Sequence, residues 1–337
     1  MMLRTIKGVN GMQYEFTFYK DEDYDELIQL ALLSYGWDYP VVGLSRLEFC
    51  HGLHPEFTGN KNAWYHTVGV YRAGGKVVAC VWNEGNYDGE VFFLFDSRER
   101  ADDMELIRDM VKFAKTTASG LENDRRTRKV NLYIPIWHES LKNYALEHGF
   151  TRTEGEDRCY ILPFHNQKME VSLPEGYKIL DGTTTPDFYL SNTHRFAFNY
   201  GGDNYATEHG AKAFADLRKM KYYKKNLDLC VVDELGRPVA MAIIWYDESM
   251  PYCELEPLGV VWWERRKGIA TAILHEAANR VMAMYPDCKG MRGGDQEFYR
   301  RIGYEKMSAC TMYEWKAEII ISWEKESYDK NYAKEVE

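Results

Sequence analysis

Long uncharged stretches are missing from this sequence of 337 residues. The longest run without a charged residue extends from Leu27 to Trp37, about half of the roughly 20 apolar residues that a membrane helix requires. The sequence therefore predicts no membrane partner. The first residues show no apolar segment after their basic residues, so no secretory signal is predicted and the cytoplasm is the expected compartment.

An excess of positive charge and closely spaced cysteine pairs are also missing. The formal net charge of −10 argues against a protein that holds a phosphate backbone, so we expect no nucleic-acid partner. The 7 cysteines are odd in number and never form a CxxC pair, which predicts reduced, buried thiols rather than disulfides or a zinc site. His51 and His54 have no third ligand at metal spacing, so no metal is expected.

Aromatic residues, by contrast, are abundant. A disordered chain could not keep 25 tyrosines and 9 tryptophans solvated, so the chain is predicted to fold. Its length favours two domains, and an internal repeat with a period of about 160 residues agrees with that number. We predict a first domain over 1–164, a linker over 165–174 and a second domain over 175–337.

Both copies of the repeat have the same predicted order of elements. A strand from Tyr14 or Tyr177 leads into an amphipathic helix, and a hairpin then turns at Gly74-Gly75 or at Gly236. The strand that returns from each hairpin is almost entirely apolar, which is typical of a central strand with helices on both faces of its sheet. A third strand, a long helix, a short helix ending at a glycine and a final strand complete each copy. The predicted bounds are 77–82 and 239–245 for the returning strands, 90–95 and 252–261 for the third strands, 103–117 and 268–284 for the long helices, and Gly149 and Gly303 for the terminating glycines. The predicted fold class is α/β (α+β), with a central mixed sheet covered by helices on both faces in each copy.

The segment LGVVWWERRKGIATAIL, residues 258–274, carries the first chemical signal. An apolar strand ends near Val261, a basic turn follows, and Gly268 opens a helix. A helix N-terminus leaves N–H groups unpaired and carries partial positive charge, so a glycine start beside three cations suits a pyrophosphate. An exposed basic turn before a core helix would have the same sequence, and these features alone leave both interpretations open.

Two motifs in the second copy resemble those of a known family. RRKGIA at 265–270 matches the R/Q-x-x-G-x-G/A signature of the GNAT superfamily of acyl-CoA-dependent N-acetyltransferases, and FYRRIGY at 298–304 matches its late aromatic-Tyr-x-x-x-Gly-aromatic motif. The resemblance covers the second copy well, from about residue 174 to 316, and the first copy only in element order. The whole chain is therefore similar to a tandem GNAT protein.

The resemblance implies acetyl-CoA as the cofactor and a role for each matching residue. The backbone of Val260 and Val261 would hold the pantetheine arm, and Tyr299 would protonate the departing thiolate. The Arg265 side chain would shape the turn. The amides that would hold the pyrophosphate are those of Arg266, Lys267, Gly268, Ile269 and Ala270.

The residues also indicate chemistry on their own. Attack of an amine on a thioester needs a base, an N–H donor and an acid. Strand alternation predicts that Glu254 and Glu256 share one face of the third strand, and if that face lines the cleft, either could take the amine's proton through water. Alternatively, both glutamates only meet solvent or a neighbouring cation, and Tyr299 is an aromatic that packs in the core.

The first copy lacks these features. Ala145 stands where the second copy has Tyr299, and the turn over 96–101 has no glycine. Acidic residues over 102–105 would repel phosphate. We therefore predict that the first copy binds no cofactor, buries a face of the second and walls the acceptor site.

The segment FAFNYGGDNY, residues 196–205, is the candidate acceptor loop. In GNAT proteins the loop at this place often shapes the acceptor pocket, which makes Tyr200, Asp203 and Tyr205 the candidate substrate-binding residues. Asp203 would attract a cationic amine. A plain surface loop is the alternative interpretation.

Taken together, these features predict an N-acetyltransferase, monomeric or homodimeric. It would transfer an acetyl or other acyl group from acetyl-CoA to a primary amine of a small molecule, by direct attack in a ternary complex. Two alternatives stay open. One is an acyltransferase on an amino-sugar or thiol precursor, resembling mycothiol synthase, and the other is a non-catalytic acyl-CoA sensor or structural module.

Overall fold

A computed structural model of the chain describes residues 4–8, 11–37, 43–50, 64–83, 89–124, 126–165, 167–198 and 207–319. The elements of the first half are β1 (Arg4–Lys7), β2 (Gln13–Phe18), α1 (Tyr24–Tyr35), α2 (Leu44–Cys50), β3 (Gly69–Ala73), β4 (Lys76–Asn83), β5 (Glu90–Phe95), α3 (Arg98–Ala101), α4 (Met104–Thr116), β6 (Gly120–Leu121), β7 (Thr127–Pro135), α5 (Glu139–Glu147) and β8 (Thr151–Pro163). Those of the second half are β9 (Lys178–Asp181), α6 (Asp187–Phe198), α7 (Thr207–Leu217), β10 (Asp228–Val232), β11 (Pro238–Trp245), β12 (Cys253–Val260), α8 (Ile269–Met284), β13 (Gly290–Gly293), α9 (Glu297–Arg301) and β14 (Glu305–Glu318).

The strands form one mixed sheet that runs through both halves. Its order is β1-β2-β3-β4-β5-β7-β14-β8-β13-β12-β11-β10-β9, with β6 attached to β7. Only the pairs β5·β7 and β12·β13 are parallel among the strands that the structure describes. Each half therefore contributes an antiparallel meander that ends in a parallel pair, which agrees with the predicted mixed sheet.

The last strands of the two halves are exchanged. β14 lies along β7 of the first half, from Cys310↔Pro135 to Glu318↔Thr127. β8 in turn pairs with β13 of the second half, and the two exchanged strands also pair with each other. The middle of the sheet is thus built from both copies, an arrangement that the sequence analysis did not predict.

Helices cover the sheet on both faces. In the first half, Cys80 and Trp82 of β4 pack in one cluster with α1, whereas Ala79 and Val81 pack in another with α4. This division follows from the alternation of side chains along a strand. In the second half, α6 and α8 both contact β11, which is buried along almost its whole length. The predicted central strands and α/β class are confirmed.

The predicted turns and helix ends also agree closely with the structure. Gly74, Gly75 and Gly236 turn the two hairpins with positive φ, and Gly149 and Gly303 follow the short helices in the same conformation. Glycine tolerates this left-handed region because it has no Cβ. Six of the cysteines lie among residues whose side chains are described, and all of them are buried. In the described part of the chain, no helix is both long and apolar enough to cross a membrane.

Candidate active site

A cleft opens where β12 and β13 diverge. In the described part of the chain these parallel strands pair at only two positions, Cys253↔Met291 and Glu254↔Arg292, although β12 stays paired with β11 beyond that point. One edge of 255–260 is therefore left without a partner strand and borders a cleft of about 1550 Å³. Backbone N–H and C=O groups along this edge border the cleft, where a bound ligand can pair with those that no protein group engages.

A β-bulge bends β12 within the cleft. The register against β11 shifts so that Glu256 and Pro257 together lie opposite Ile243, which bends and twists the strand locally. Trp245 Nε1 donates a hydrogen bond of 2.8 Å to the carbonyl oxygen of Glu256 and fixes the bulge from the neighbouring strand. Both Glu254 and Glu256 line the cleft as a result.

The turn before α8 presents its backbone to the cleft. Arg266 and Gly268 both have positive φ, 68° and 79°, and no side chain caps the helix among the described residues. A Cβ added at Gly268 would meet no atom within 4 Å. The Arg265 guanidinium donates to the carbonyl oxygens of Val260 at 3.2 Å and Ala197 at 2.6 Å, which ties the turn to β12 and α6. An uncapped start of a long helix, with space in front of it, is suited to an anion.

Most of the predicted cofactor residues border this space, but two do not. Val261 is only 1% exposed and packs in the core. Lys267 Nζ donates at 2.8 Å to Glu264 Oε2, which also accepts a hydrogen bond of 2.7 Å from the Tyr177 hydroxyl. This contact holds the cation at one side of the turn and raises the pKa of Lys267. The residues of the predicted set that line the cleft are Val260, Arg265, Arg266, Gly268, Ile269 and Ala270.

Glu256 is accessible to solvent from the cleft, although protein surrounds it on most sides. Burial raises its pKa from 4.5 to about 7, and the negative charge of Glu254 acts in the same direction. Arg46 and Arg292 lower the pKa of Glu256, but by less. A carboxylate with a pKa near neutrality is suited to act as a general base at physiological pH.

Glu254 has a different environment from Glu256. It is only 6% exposed, and both of its oxygens are engaged. Oε2 accepts a hydrogen bond of 2.6 Å from the Tyr35 hydroxyl and one of 3.4 Å from the Ser45 amide. Oε1 lies 3.4 Å from Nη1 of Arg292. The structure thus distinguishes two glutamates that the sequence treats alike.

Tyr299 also lines the cleft, on the short helix α9. Burial raises its pKa to about 12, and the negative charge of Glu256 adds to the shift, which indicates that the two side chains are close. A hydrogen bond from the Gly294 backbone acts in the opposite direction. The hydroxyl therefore keeps its proton throughout the physiological range, as a general acid must before it donates.

The corresponding helix start in the first half is already capped. The Asp103 carboxylate accepts hydrogen bonds from the amides of Glu105 at 3.0 Å and Leu106 at 3.4 Å, and the Tyr14 hydroxyl donates to it at 2.8 Å. Ser97 caps the preceding helix α3. The N–H groups that would hold a phosphate are thus satisfied by the protein itself.

Side chains also fill the space between the ends of β5 and β7. His138 is 2% exposed, lies against the Phe95 ring at 5.5 Å and bonds through Nε2 to the Ala101 carbonyl at 2.7 Å. Trp137 stacks on His138 at 4.7 Å, and the Arg98 guanidinium lies 3.4 Å from the Trp137 ring centre. Burial lowers the pKa of His138 to about 4, so its ring is neutral at physiological pH.

The first half also walls the cleft of the second. Gly43, Ser45 and Arg46 reach it from the start of α2, and residues 156–158 reach it from the exchanged strand β8. These residues could not be predicted from the sequence, because nothing in a short helix or a solvent-facing strand indicates which distant surface it will meet. Tyr200, Asp203 and Tyr205 lie outside the described residues, as do His51 and His54. No group of three or more metal-binding side chains is found in the described ranges.

Comparison with solved structures gives similar folds over most of the chain. A GCN5-related N-acetyltransferase from Sphaerobacter thermophilus has a TM-score of 0.58 and 15% identity, with 91% of this chain and 96% of that one covered. A tandem GNAT protein from the clavulanic acid biosynthesis pathway has a TM-score of 0.59 and 15% identity, over 90% and 98% of the two chains. A GNAT-family acetyltransferase from Colwellia psychrerythraea has a TM-score of 0.54 and 11% identity, over 89% and 99%. No protein-family model and no curated protein sequence matches the chain. The fold is therefore similar to that of solved GNAT acetyltransferases, a tandem GNAT protein among them.

Proposed function

We propose that the second half is an acyl-CoA-dependent N-acyltransferase that transfers an acetyl or other acyl group to a primary amine of a small molecule. One observation carries the proposal: within the described ranges, a helix start without a side-chain cap, a strand edge without a partner strand, a glutamate with a pKa of about 7 and a protonated tyrosine all border one cleft. The GNAT fold supports acyl transfer as the class of reaction. We also propose the division into domains at 1–164 and 175–337, joined by 165–174, with the last strands exchanged.

The residues of the cleft fit acetyl-CoA. The turn over 265–270 would hold the pyrophosphate with its backbone amides, because space lies in front of Gly268 and no side chain among the described residues caps the helix. The free edge of β12 near Val260 would pair with the amide groups of the pantetheine arm. When bound, acetyl-CoA supplies the thioester carbonyl that an amine attacks.

Two side chains of the cleft would move the protons. Glu256 is ionised above pH 7 and accessible from the cleft, so it would take the proton that the amine loses, directly or through water. Tyr299 holds its proton at that pH and would donate it to the departing sulfur. A base and an acid that line one cleft permit direct attack in a ternary complex, without a covalent enzyme intermediate.

The experiment follows loss of the acetyl-CoA thioester and identifies the acylated product across a panel of simple amines, amino sugars and cysteinyl thiol precursors. Thermal unfolding with and without coenzyme A is measured in parallel. We expect stabilisation by coenzyme A and turnover with at least one amine, which Glu256→Gln abolishes. Stabilisation without turnover for any acceptor would favour the sensor alternative, and transfer confined to amino sugars or cysteinyl thiol precursors would favour the mycothiol synthase-like one. Absence of stabilisation would refute the cofactor site itself.

A further inference from the structure

Tyr35 joins the first half of the chain to the cleft of the second. It is the last residue of α1 and is only 1% exposed. Its hydroxyl donates to Glu254 Oε2 at 2.6 Å and accepts a hydrogen bond of 2.7 Å from the Leu44 amide at the start of α2. The ring lies 5.5 Å from that of Tyr252, the residue just before β12. One side chain therefore links α1, α2 and the strand that carries both glutamates.

The arrangement leaves Glu254 little freedom to act as a base itself. Its Oε2 accepts hydrogen bonds from Tyr35 and from the Ser45 amide, and its Oε1 faces Arg292. Arg292 also lies 4.0 Å from Asp157 of the exchanged strand β8. A carboxylate held by donors on both oxygens is fixed in place. Glu256, two residues further on, is the one that is accessible from the cleft.

We propose that Tyr35 is a positioning residue of the acyl-transfer site, whose hydroxyl holds the Glu254 carboxylate in the wall beside Glu256. This inference rests on the proposed function of the cleft. It also gives the first half a second role, because that half then fixes a charge in the cleft as well as walling it. A single copy of the GNAT fold would lack the hydroxyl that Tyr35 supplies.

The charge of the Glu254 carboxylate acts on Glu256 through electrostatic repulsion. A carboxylate held near another disfavours the second ionisation, and Glu254 accordingly contributes to the raised pKa of Glu256. Other elements also place titratable or charged groups around the two glutamates. These are Arg46 from α2, Arg292 from β13, Asp157 and Cys159 from β8, Tyr252 before β12 and Tyr299 from α9. By holding the Glu254 carboxylate in place, Tyr35 keeps the contribution of that carboxylate to the pKa of Glu256 constant.

The test compares Tyr35→Phe with Tyr71→Phe and Glu254→Gln. Tyr71 is a matched control, because it is equally buried in the first half and its hydroxyl donates to Asp109 Oδ2 at 2.9 Å, away from the cleft. The first readout is the pH profile of kcat/KM with an arylamine acceptor whose own amine stays unprotonated from pH 5 to 9. The second is a ¹³C-carboxyl NMR titration of Glu256, assigned by its absence from Glu256→Gln, which needs no turnover.

We expect the acid limb of the profile and the titration midpoint of Glu256 to move together to lower pH. The shift should be about one pH unit in Glu254→Gln and roughly half of that in Tyr35→Phe, while Tyr71→Phe leaves both unchanged. An unshifted midpoint in Tyr35→Phe, or an equal shift in Tyr71→Phe, would overturn the proposal. So would a Glu254→Gln variant that loses turnover at every pH without a shift, because Glu254 would then be the base. If no acceptor is turned over, the proposed function fails, and the NMR titration still decides the role of Tyr35.

Discussion

Gly268 and Gly236 form a matched pair for testing the helix start as a cofactor site. Both have left-handed backbone, with φ of 79° and 75°, and a Cβ added at either would meet no atom within 4 Å. Gly268 borders the cleft, whereas Gly236 lies in the β10–β11 hairpin. Alanine at either position therefore introduces the same backbone strain, and only Gly268→Ala places a methyl group where the backbone would approach a phosphate.

Backbone strain and weaker coenzyme A binding have different expected effects on the free energy of unfolding. Each substitution should lower the free energy of unfolding by about 1 to 2 kcal/mol, because a non-glycine residue in the left-handed region costs that much. Coenzyme A at a concentration a hundredfold above its Kd should stabilise the wild type by about 2.7 kcal/mol. We expect Gly268→Ala to weaken binding about tenfold, which reduces this stabilisation to about 1.4 kcal/mol. Gly236→Ala should keep the full value.

The assay measures unfolding of the two variants and the wild type with and without coenzyme A, together with the Kd by calorimetry. Equal free energies of unfolding of the two variants without ligand would verify that both substitutions introduce the same backbone strain. If coenzyme A stabilises Gly268→Ala and Gly236→Ala equally, and their Kd values agree, the backbone at the start of α8 does not hold the cofactor. The assignment of the cleft would then be wrong.

Three further predictions concern the proton-transfer groups and the first half. Tyr299→Phe should lower kcat by about 10² or more while leaving coenzyme A affinity nearly unchanged. Tyr304→Phe is its control, since that buried hydroxyl has no hydrogen-bond partner in the described structure, and equal rates for the two variants would eliminate Tyr299 as the acid. Because the pKa of Glu256 is raised from 4.5 to about 7, ionising it costs stability progressively from pH 4.5 to 7. Glu256→Gln should therefore have a higher Tm than the wild type above pH 7 and the same Tm below pH 4.5. A Tm difference between the two proteins that stays constant from pH 4.5 to 7 would contradict the raised pKa of Glu256. Asp103→Ala should destabilise the protein by about 1 to 3 kcal/mol, since it removes a helix cap and the partner of the Tyr14 hydroxyl, yet calorimetry should still give one coenzyme A per chain.

Much of the fold was predictable because its signals are local. A glycine pair or a single glycine turns each hairpin, apolar runs mark the buried strands, and glycines follow the short helices. The predicted third strand over 90–95 coincides with β5, and the predicted helix over 268–284 differs from α8 by one residue at its start. The strand exchange was not predictable, because β8 and β14 have no feature that favours one copy's sheet over the other's.

The candidate site was predictable only in part, for the same reason. The glycine at the start of α8 and the late tyrosine belong to short motifs, and the two glutamates are close together on one strand. Their difference in role could not be predicted, because both occupy the same kind of position on that strand.

The sequence by itself determined the elements, their order and the chemical groups available to the cleft, since backbone preferences and side-chain periodicity act over a few residues. The tertiary structure decided which groups meet. Tyr35 and Glu254 are 219 positions apart, and only the packed halves bring their oxygens within hydrogen-bond distance. Burial in the same packing raises the pKa of Glu256, because the cost of removing a charge from water depends on everything that surrounds it.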